Sequence, residues 1–370
     1  MLTEEQEVLR NTVKDFCEKY LVKSALDIER KGISDDIKQK LAENGFLGAY
    51  IPQDCGGSGL DKKSYALMLQ EFAGYSPSVA FWIFLNNSIF SELLIKNLDK
   101  TICREILEKV AANKATAAVL FEDVLKNSIA APQLEIDENL SVKGDNSALK
   151  IKGKQDYVLN PGADFFIAAV KKGSEDGILL LNKGVSVVAD NPHLGFRGIR
   201  FSKVVLDSPT KDAVFLSTTN GLDLIRKTYN NASYEVAAIA IGIAKAAVSA
   251  AIDYAKTRKT FGSELISFQP IAFSLESYIS EIDRMENDLY NSTSPEDLKN
   301  ALRAKLKAVE MVLNASSLAL QVHGGYGYIE DFKIERFYRD SMALAVFTGN
   351  HFNDMINLSK IDFGDKSAVY

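Results

Sequence analysis

Cysteine is scarce in this chain of 370 residues. Cys17, Cys55 and Cys103 are odd in number and show no CxxC spacing, which suits reduced, mostly buried thiols rather than a disulfide framework. Histidine is scarcer in effect: His193, His323 and His351 are too scattered for a metal site, and HExxH and Cys/His clusters are absent, so no metal is expected. No uninterrupted apolar stretch reaches the roughly 18 residues of a membrane span, and the first residues lack a basic and apolar leader, so a soluble cytoplasmic protein without membrane contact is expected. An excess of positive charge is missing too. The net charge of -6 and a pI near 5.4 argue against nucleic-acid or anionic-membrane partners. There is no internal repeat and no low-complexity tract. Proline does not occur between Pro209 and Pro270, nor after Pro295, which permits long helices such as Ala301 to about Val322.

The length is two to three times the usual domain of roughly 100 to 150 residues, so subdivision is expected. Three regimes follow one another. From 1 to 114 apolar residues recur at helical spacing, as in Val13, Phe16 and Tyr20 and in Ile37, Leu41, Phe46 and Leu47, interrupted by the glycine-rich turn Ile51–Leu60. From 115 to 216 the pattern breaks into strand-length segments at Leu134–Asp137, Leu149–Lys152, Phe165–Val170, Gly177–Leu181 and Phe201–Leu206, for which a compact antiparallel β-domain is the simplest solution. From 217 to 370 helical spacing returns.

Two motifs stand out. Arg258-Lys259-Thr260-Phe261-Gly262 is followed by Gln269, and Gln321-Val322-His323-Gly324-Gly325-Tyr326-Gly327-Tyr328 leads into Glu335-Arg336-Phe337-Tyr338-Arg339-Asp340. Alone, the first would usually be a helix end and the second a turn. Together, in the order helices, strands, long helices, the chain resembles the acyl-CoA dehydrogenase family over almost its whole length. The resemblance implies an α+β multidomain fold with an N-terminal helical domain, a middle β-barrel domain and a C-terminal four-helix bundle. It implies FAD as cofactor and a homodimer or homotetramer in which the cofactor site is shared between subunits. Arg258, Thr260, Phe261 and Gln269 would bind the pyrophosphate and adenosine part of FAD, a guanidinium being suited to paired bonds with phosphate. Gln321, Gly324 and Gly325 match the contribution of the neighbouring subunit, so Arg258 and Gln321 would stand on opposite sides of the shared site. Near the flavin ring the match is partial: Phe121 occupies a contacting turn, Tyr157 replaces the usual tryptophan, and Leu159 replaces a small hydroxyl residue. The loop Val124–Ser128 replaces the Gly- and Ser-containing stretch of the family.

The position eight residues after Asp340, where the family usually carries its catalytic glutamate, holds Thr348, and a threonine hydroxyl is no base near neutral pH. The alternative position used by some branches aligns with Ala232. Glu235, on roughly the same helical face, is either a solvated or salt-bridged carboxylate or a catalytic or substrate-orienting group. His351 is a candidate proton acceptor near Thr348, whereas Glu335 with Arg339 and Arg336 with Asp340 have the spacing of helix-surface ion pairs. The chain looks like divergent members that oxidise a small acyl thioester tethered to an acyl carrier protein, in formation of hydroxymalonyl or aminomalonyl extender units, with electrons passing to an electron-transfer acceptor. A short-chain acyl-CoA dehydrogenase acting on a CoA thioester with a relocated base, and a catalytically silent flavoprotein with a binding or structural role, are the alternatives.

Overall fold

Thr3 starts the first helix: its hydroxyl accepts from the Gln6 N–H and the Gln6 carboxamide returns to the Thr3 N–H, a capping box. The architecture is that of a computed structural model, which describes residues 2–120, 134–136, 149–182, 185–210, 213–348 and 351–364. The N-terminal helices are α1 (Glu4–Phe16), α2 (Ala25–Lys31), α3 (Asp35–Glu43), α4 (Lys62–Tyr75), α5 (Pro77–Phe84), α6 (Glu92–Ile95) and α7 (Thr101–Ala111). Ser34 and Asp61 cap α3 and α4 by accepting backbone N–H groups, and Pro77 opens α5 where its missing N–H costs nothing.

The strands β1 (Ala117–Leu120), β2 (Glu135–Ile136), β3 (Leu149–Leu159), β4 (Phe165–Lys172), β5 (Glu175–Asn182), β6 (Ser186–Asp190), β7 (Phe201–Thr210) and β8 (Val214–Ser217) form one sheet. Its pairing path runs β6-β7-β3-β2-β4-β5-β8, with β1 beside β4. The expected antiparallel domain is mixed instead, because β1 and β2 both run parallel to β4. The reason lies at the strand entrances. Thr116 donates its N–H and hydroxyl to the Asp164 carboxylate, and the N–H groups of Asp164 and Phe165 return to the Thr116 carbonyl, so β1 and β4 start side by side and travel the same way. A bulge in β3 between Gln155 and Val158 sets Asp156 and Tyr157 against the single residue Lys203 of β7.

The C-terminal helices are α8 (Gly221–Asn231), α9 (Ser233–Thr257), α10 (Gln269–Asn287), α11 (Leu298–Val322), α12 (Ile334–Phe347) and α13 (His351–Phe363). Between α9 and α10 the two-stranded hairpin β9 (Lys259–Thr260) and β10 (Ser263–Glu264) turns at Phe261 and Gly262, both with positive φ. Helices α9 to α12 pack on one another, and α9 also packs on α4, so one core runs from Val13 to Phe347. Pro77–Ile95 and Ser233–Thr257 are long and apolar enough to cross a membrane by length and composition, yet most of each is buried inside this core.

The three regions meet at Phe196. Its backbone is left-handed, its N–H donates to Asp340 Oδ1 at 2.5 Å, and its ring stacks on Phe81 at 4.3 Å. The Arg339 guanidinium reaches the Leu194 carbonyl, Glu29 and Glu335 at 3.0, 2.9 and 3.1 Å. The expected Glu335–Arg339 pair is therefore present, but largely buried rather than on the helix surface, and Arg336 and Asp340 do not form a surface pair. Asp340 turns inward to Phe196, and Arg336 donates to the Tyr75 carbonyl at 3.2 Å. Burial, reinforced by Glu29, pushes the Asp340 carboxyl up to about 7.

Helix α9 approaches α4 so closely at Gly242 that a Cβ there would lie 2.1 Å from the Gln70 carbonyl oxygen. Gly242→Ala should therefore destabilise the protein by about 1–3 kcal/mol in urea or thermal unfolding. Gly74→Ala, whose Cβ would meet the Gly242 carbonyl at an ordinary 3.6 Å, is the control and should be neutral or stabilising. Equal effects of the two substitutions would contradict the close approach.

Candidate active site

Helix α9 ends where Arg258 turns extended while its N–H still reaches the Tyr254 carbonyl, and α11 ends at His323 beside it. Between the two ends lies a cavity of about 360 Å³ lined by Tyr254, Arg258, Thr260, Leu265, Ile329 and the run Val322–Tyr326. His323 forms a wall: Nδ1 contacts the Ala319 carbonyl at 2.8 Å, the ring stacks on Tyr254 at 4.3 Å, and burial lowers its pKa. The Arg258 guanidinium sits 5.5 Å from the Tyr326 ring centroid, so its plane is held over an aromatic face. Gly324 and Gly325 leave the backbone open, since a Cβ on either would meet nothing within 4 Å. A guanidinium, a hydroxyl and bare backbone around one cavity suit the anionic, dinucleotide part of FAD.

Arg258, Thr260, Gly324 and Gly325 are thus brought together within one chain, which corrects the expectation that the two motifs stand on opposite sides of a shared site. They meet because α9 and α11 lie side by side and finish at the same end. Gln269, Gln321 and Phe261 are exposed outside the lining, Phe261 at 95 % on the hairpin tip.

The residues expected around the flavin ring lie elsewhere. Tyr157, thrown outward by the β3 bulge, is 45 % exposed and stacks on Phe201 at 5.8 Å. Phe201 in turn meets His193 and Phe347 edge-on, at 5.3 and 5.4 Å, so Tyr157 stands over the end of α12. Leu159 is only 2 % exposed and belongs to the core. Phe121 and the segment Val124–Ser128 lie outside the described residues.

At that end of α12 Thr348 is buried, and its hydroxyl donates to the Leu344 carbonyl at 2.6 Å while its own carbonyl accepts from Lys305 Nζ at 2.6 Å. Lys305 is also buried and pairs with Asp354 at 2.7 Å. Neither had been singled out from the sequence. The available signal was a lysine on the buried face of α11, between Leu302 and Leu306. His351 opens α13 with its side chain exposed, and residues 349–350 between it and Thr348 are not among those described. Lys305 lies 17 residues before Val322 on α11, roughly 26 Å from the Arg258 cavity at the helical rise per residue. The two halves of the expected flavin constellation are therefore at opposite ends of the helix bundle in one chain.

Glu235, in the first turn of α9, is 1 % exposed, which excludes the solvated surface carboxylate. Its nearest cation is Lys62 Nζ at 3.8 Å. Burial pushes its carboxyl up to about 7, with Lys62 opposing and Glu92 and Glu296 adding to the rise. No group of three or more metal-ligating side chains occurs among the described residues.

Residues 3–114 match the family model for the acyl-CoA dehydrogenase N-terminal domain, and residues 219–353 that for the acyl-CoA dehydrogenase C-terminal domain. The chain is 28% identical over 365 residues to the 3-(aryl)acrylate reductase of Clostridium sporogenes, covering 94% of this chain and 95% of the relative. It is 28% identical, with the same coverage, to the caffeyl-CoA reductase-Etf complex subunit CarC of Acetobacterium woodii. Among solved structures, butyryl-CoA dehydrogenase from Megasphaera elsdenii superposes with a TM-score of 0.86 at 24% identity, over 98% of each chain.

The buried carboxylate predicts a pH signature. A carboxyl raised from 4.5 to about 7 on folding gives stability that is fully present below pH 4.5 and is lost as the pH rises through 7. Glu235→Gln removes this loss, so the stability difference between variant and natural protein should move in favour of the variant across that window. A difference that stays flat from pH 4 to 8, measured by urea unfolding, would mean that Glu235 titrates normally.

Proposed function

Because this chain belongs to the acyl-CoA dehydrogenase family, whose members are FAD-binding flavoproteins, we propose that it oxidises a small acyl thioester carried on an acyl carrier protein, in making hydroxy- or aminomalonyl extender units for polyketide or nonribosomal peptide synthesis. The observation that carries this reading is Thr348. It takes the place where the resemblance expects the base, its hydroxyl is bonded to the Leu344 carbonyl, and the charge behind it is the ammonium of Lys305. α,β-Desaturation needs a base aligned against hydride loss, and this segment offers none at Thr348. Oxidation of an aldehyde hydrate removes hydride from a carbon that already bears oxygen, with no need to acidify the carbon beside the thioester. Bound FAD supplies the hydride acceptor. Thr348, Tyr157 and the end of α12 shape the space beside it, and Lys305 holds the Thr348 carbonyl in place.

A second reading has its own observation. Glu235 is a buried carboxyl with raised proton affinity, so a short-chain acyl-CoA dehydrogenase with its base relocated to Glu235 is the competitor. In either case the electron acceptor is an electron-transferring flavoprotein type of partner, as the name of the caffeyl-CoA reductase relative suggests for that protein.

The roughly 26 Å between the Arg258 cavity and the Thr348 end supports a cofactor shared between protomers, with its dinucleotide on one chain and its reactive ring on the next. The FAD-loaded protein should then scatter light as a dimer or larger species, and Arg258→Ala should weaken FAD retention by about 10–100-fold. A 40.7 kDa monomer that holds FAD fully would end the shared-site reading.

Flavin bleaching separates the two reactions. Three-carbon hydroxyacyl or aminoacyl groups on a carrier protein should reduce the flavin, and Thr348→Val should keep most of that rate because the hydroxyl removes no reacting proton. Thr348→Glu should not speed it. Efficient reduction by acyl-CoAs, abolished in Glu235→Gln, would establish the relocated base instead.

A further inference from the structure

The N-terminal end of α9 holds a polar cluster that the flavin-binding residues do not account for. Glu235 Oε1 lies 3.8 Å from Lys62 Nζ, too far for a hydrogen bond, and Oε2 has no hydrogen-bond partner among the described residues. Lys62 is committed to the carbonyls of Asn231 and Pro295 at 2.6 and 3.4 Å. Close enough to feel the Glu235 charge are the stacked rings of Tyr50 and Tyr65, 5.4 Å apart, with the Tyr65 phenol accepting from Ser88 at 3.1 Å.

Ser88 belongs to Leu85–Ser91, where the helix that begins at Pro77 becomes π-helical, a distortion frequent at functional sites. Asn86, Asn87, Ser88 and Ser91 are all buried there. Asn87 is satisfied by the Leu47 and Ile83 carbonyls and the Tyr50 N–H, whereas Ser91 Oγ has no partner among the described residues. So much polarity is out of place among the hydrocarbon side chains that pack around it. A buried carboxylate oxygen left without a donor is costly, and a leucine or glutamine would serve packing better. Glu235 also follows Ala232 by three residues, on roughly the face where the family resemblance puts the alternative base.

We propose that Glu235 is a specificity-determining residue whose Oε2 accepts a hydrogen bond from a hydroxyl on the acyl part of the substrate, so that the site takes short polar acyl thioesters in preference to hydrocarbon ones. This rests on the thioester reading above. Lys62 already balances the carboxylate, so a neutral hydroxyl adds no net charge to the buried site, while an ammonium would add a second cation. A site built to bond a hydroxyl rejects the analogue that lacks it far more strongly than an apolar pocket distinguishes one methylene.

The test uses three unreactive pantetheine thioethers, ending in propyl, 3-hydroxypropyl and 3-aminopropyl groups. Each is titrated calorimetrically into the full-length FAD-loaded protein and into its Glu235→Gln and Glu235→Leu variants, with flavin absorbance and thermal midpoint checking the fold. The natural protein should bind the hydroxypropyl compound at least about tenfold more tightly than the propyl one. That ratio should fall to about one in Glu235→Leu and be partly kept in Glu235→Gln, whose amide oxygen still accepts. If the leucine variant does not fold, Glu235→Met, unbranched and without an oxygen acceptor, carries the comparison. Equal binding of the two compounds by the natural protein, a ratio that survives Glu235→Leu, or a larger preference for the aminopropyl compound would overturn the proposal. If no thioester bleaches the flavin while the hydroxypropyl preference holds, the subsite stands and the thioester oxidation falls. Loss of acyl-CoA turnover in Glu235→Gln with an unchanged binding ratio would make Glu235 a base instead.

Discussion

The bond from the Phe196 N–H to Asp340 is the contact on which the placement of everything around Thr348 depends. It costs something on both sides: a bulky residue in the left-handed region is a backbone outlier, and a carboxyl is taken out of water. Both costs are offset by what they allow: the turned backbone aims its N–H at the carboxylate, and the freed ring lies flat on Phe81. Asp340 is two helical turns before Thr348, so fixing it fixes the course of α12. Phe347 then meets Phe201, and Phe201 supports Tyr157. One hydrogen bond thereby ties together a loop of the sheet, an N-terminal helix and the segment that ends at Thr348.

Much of this was legible in the residues and some was not. The five strand segments were visible as β-branched and aromatic runs between turn residues, and the long helix was visible from the absence of proline. The observed α11 begins three residues before the expected Ala301, at the point where Asp297 caps it. The strands β1, β6 and β8 went unseen, because Ala117–Leu120 has no alternation and β6 is exposed along its whole length. Parallel pairing could not be read either, since it depends on Thr116 meeting Asp164 across 48 residues. Glu335 with Arg339 came out as spacing suggested, whereas Asp340, with the same spacing from Arg336, was drawn inward by a partner 144 residues away. Lys305 and Asp354 escaped for the same reason: helical spacing reports which residues share a face and says nothing of what covers it.

Helix α9 links the two ends of the candidate site. Its first turn carries Glu235 and its last residue precedes Arg258, so one rod separates the buried carboxyl from the cavity that Arg258 lines. The aliphatic stretch Val236–Ile243 next to Glu235 is spent on packing, while Lys245 beyond it reaches out to Glu286.

The seat of Gly242 against Gln70 has a further consequence for the ribosome-bound chain. The two residues in contact are 172 apart in the chain, and the whole sheet is made between them. Until α9 emerges, the face of α4 around Gln70 and Ala73 has no permanent cover, although Phe72 already packs on Phe16 and Phe46. The middle region can close first, since its second core draws only on residues from Ala118 to Leu206. Vectorial synthesis therefore favours an order in which the centre of the chain folds before its beginning, and the N-terminal helices wait, partly uncovered, for a partner still to be translated.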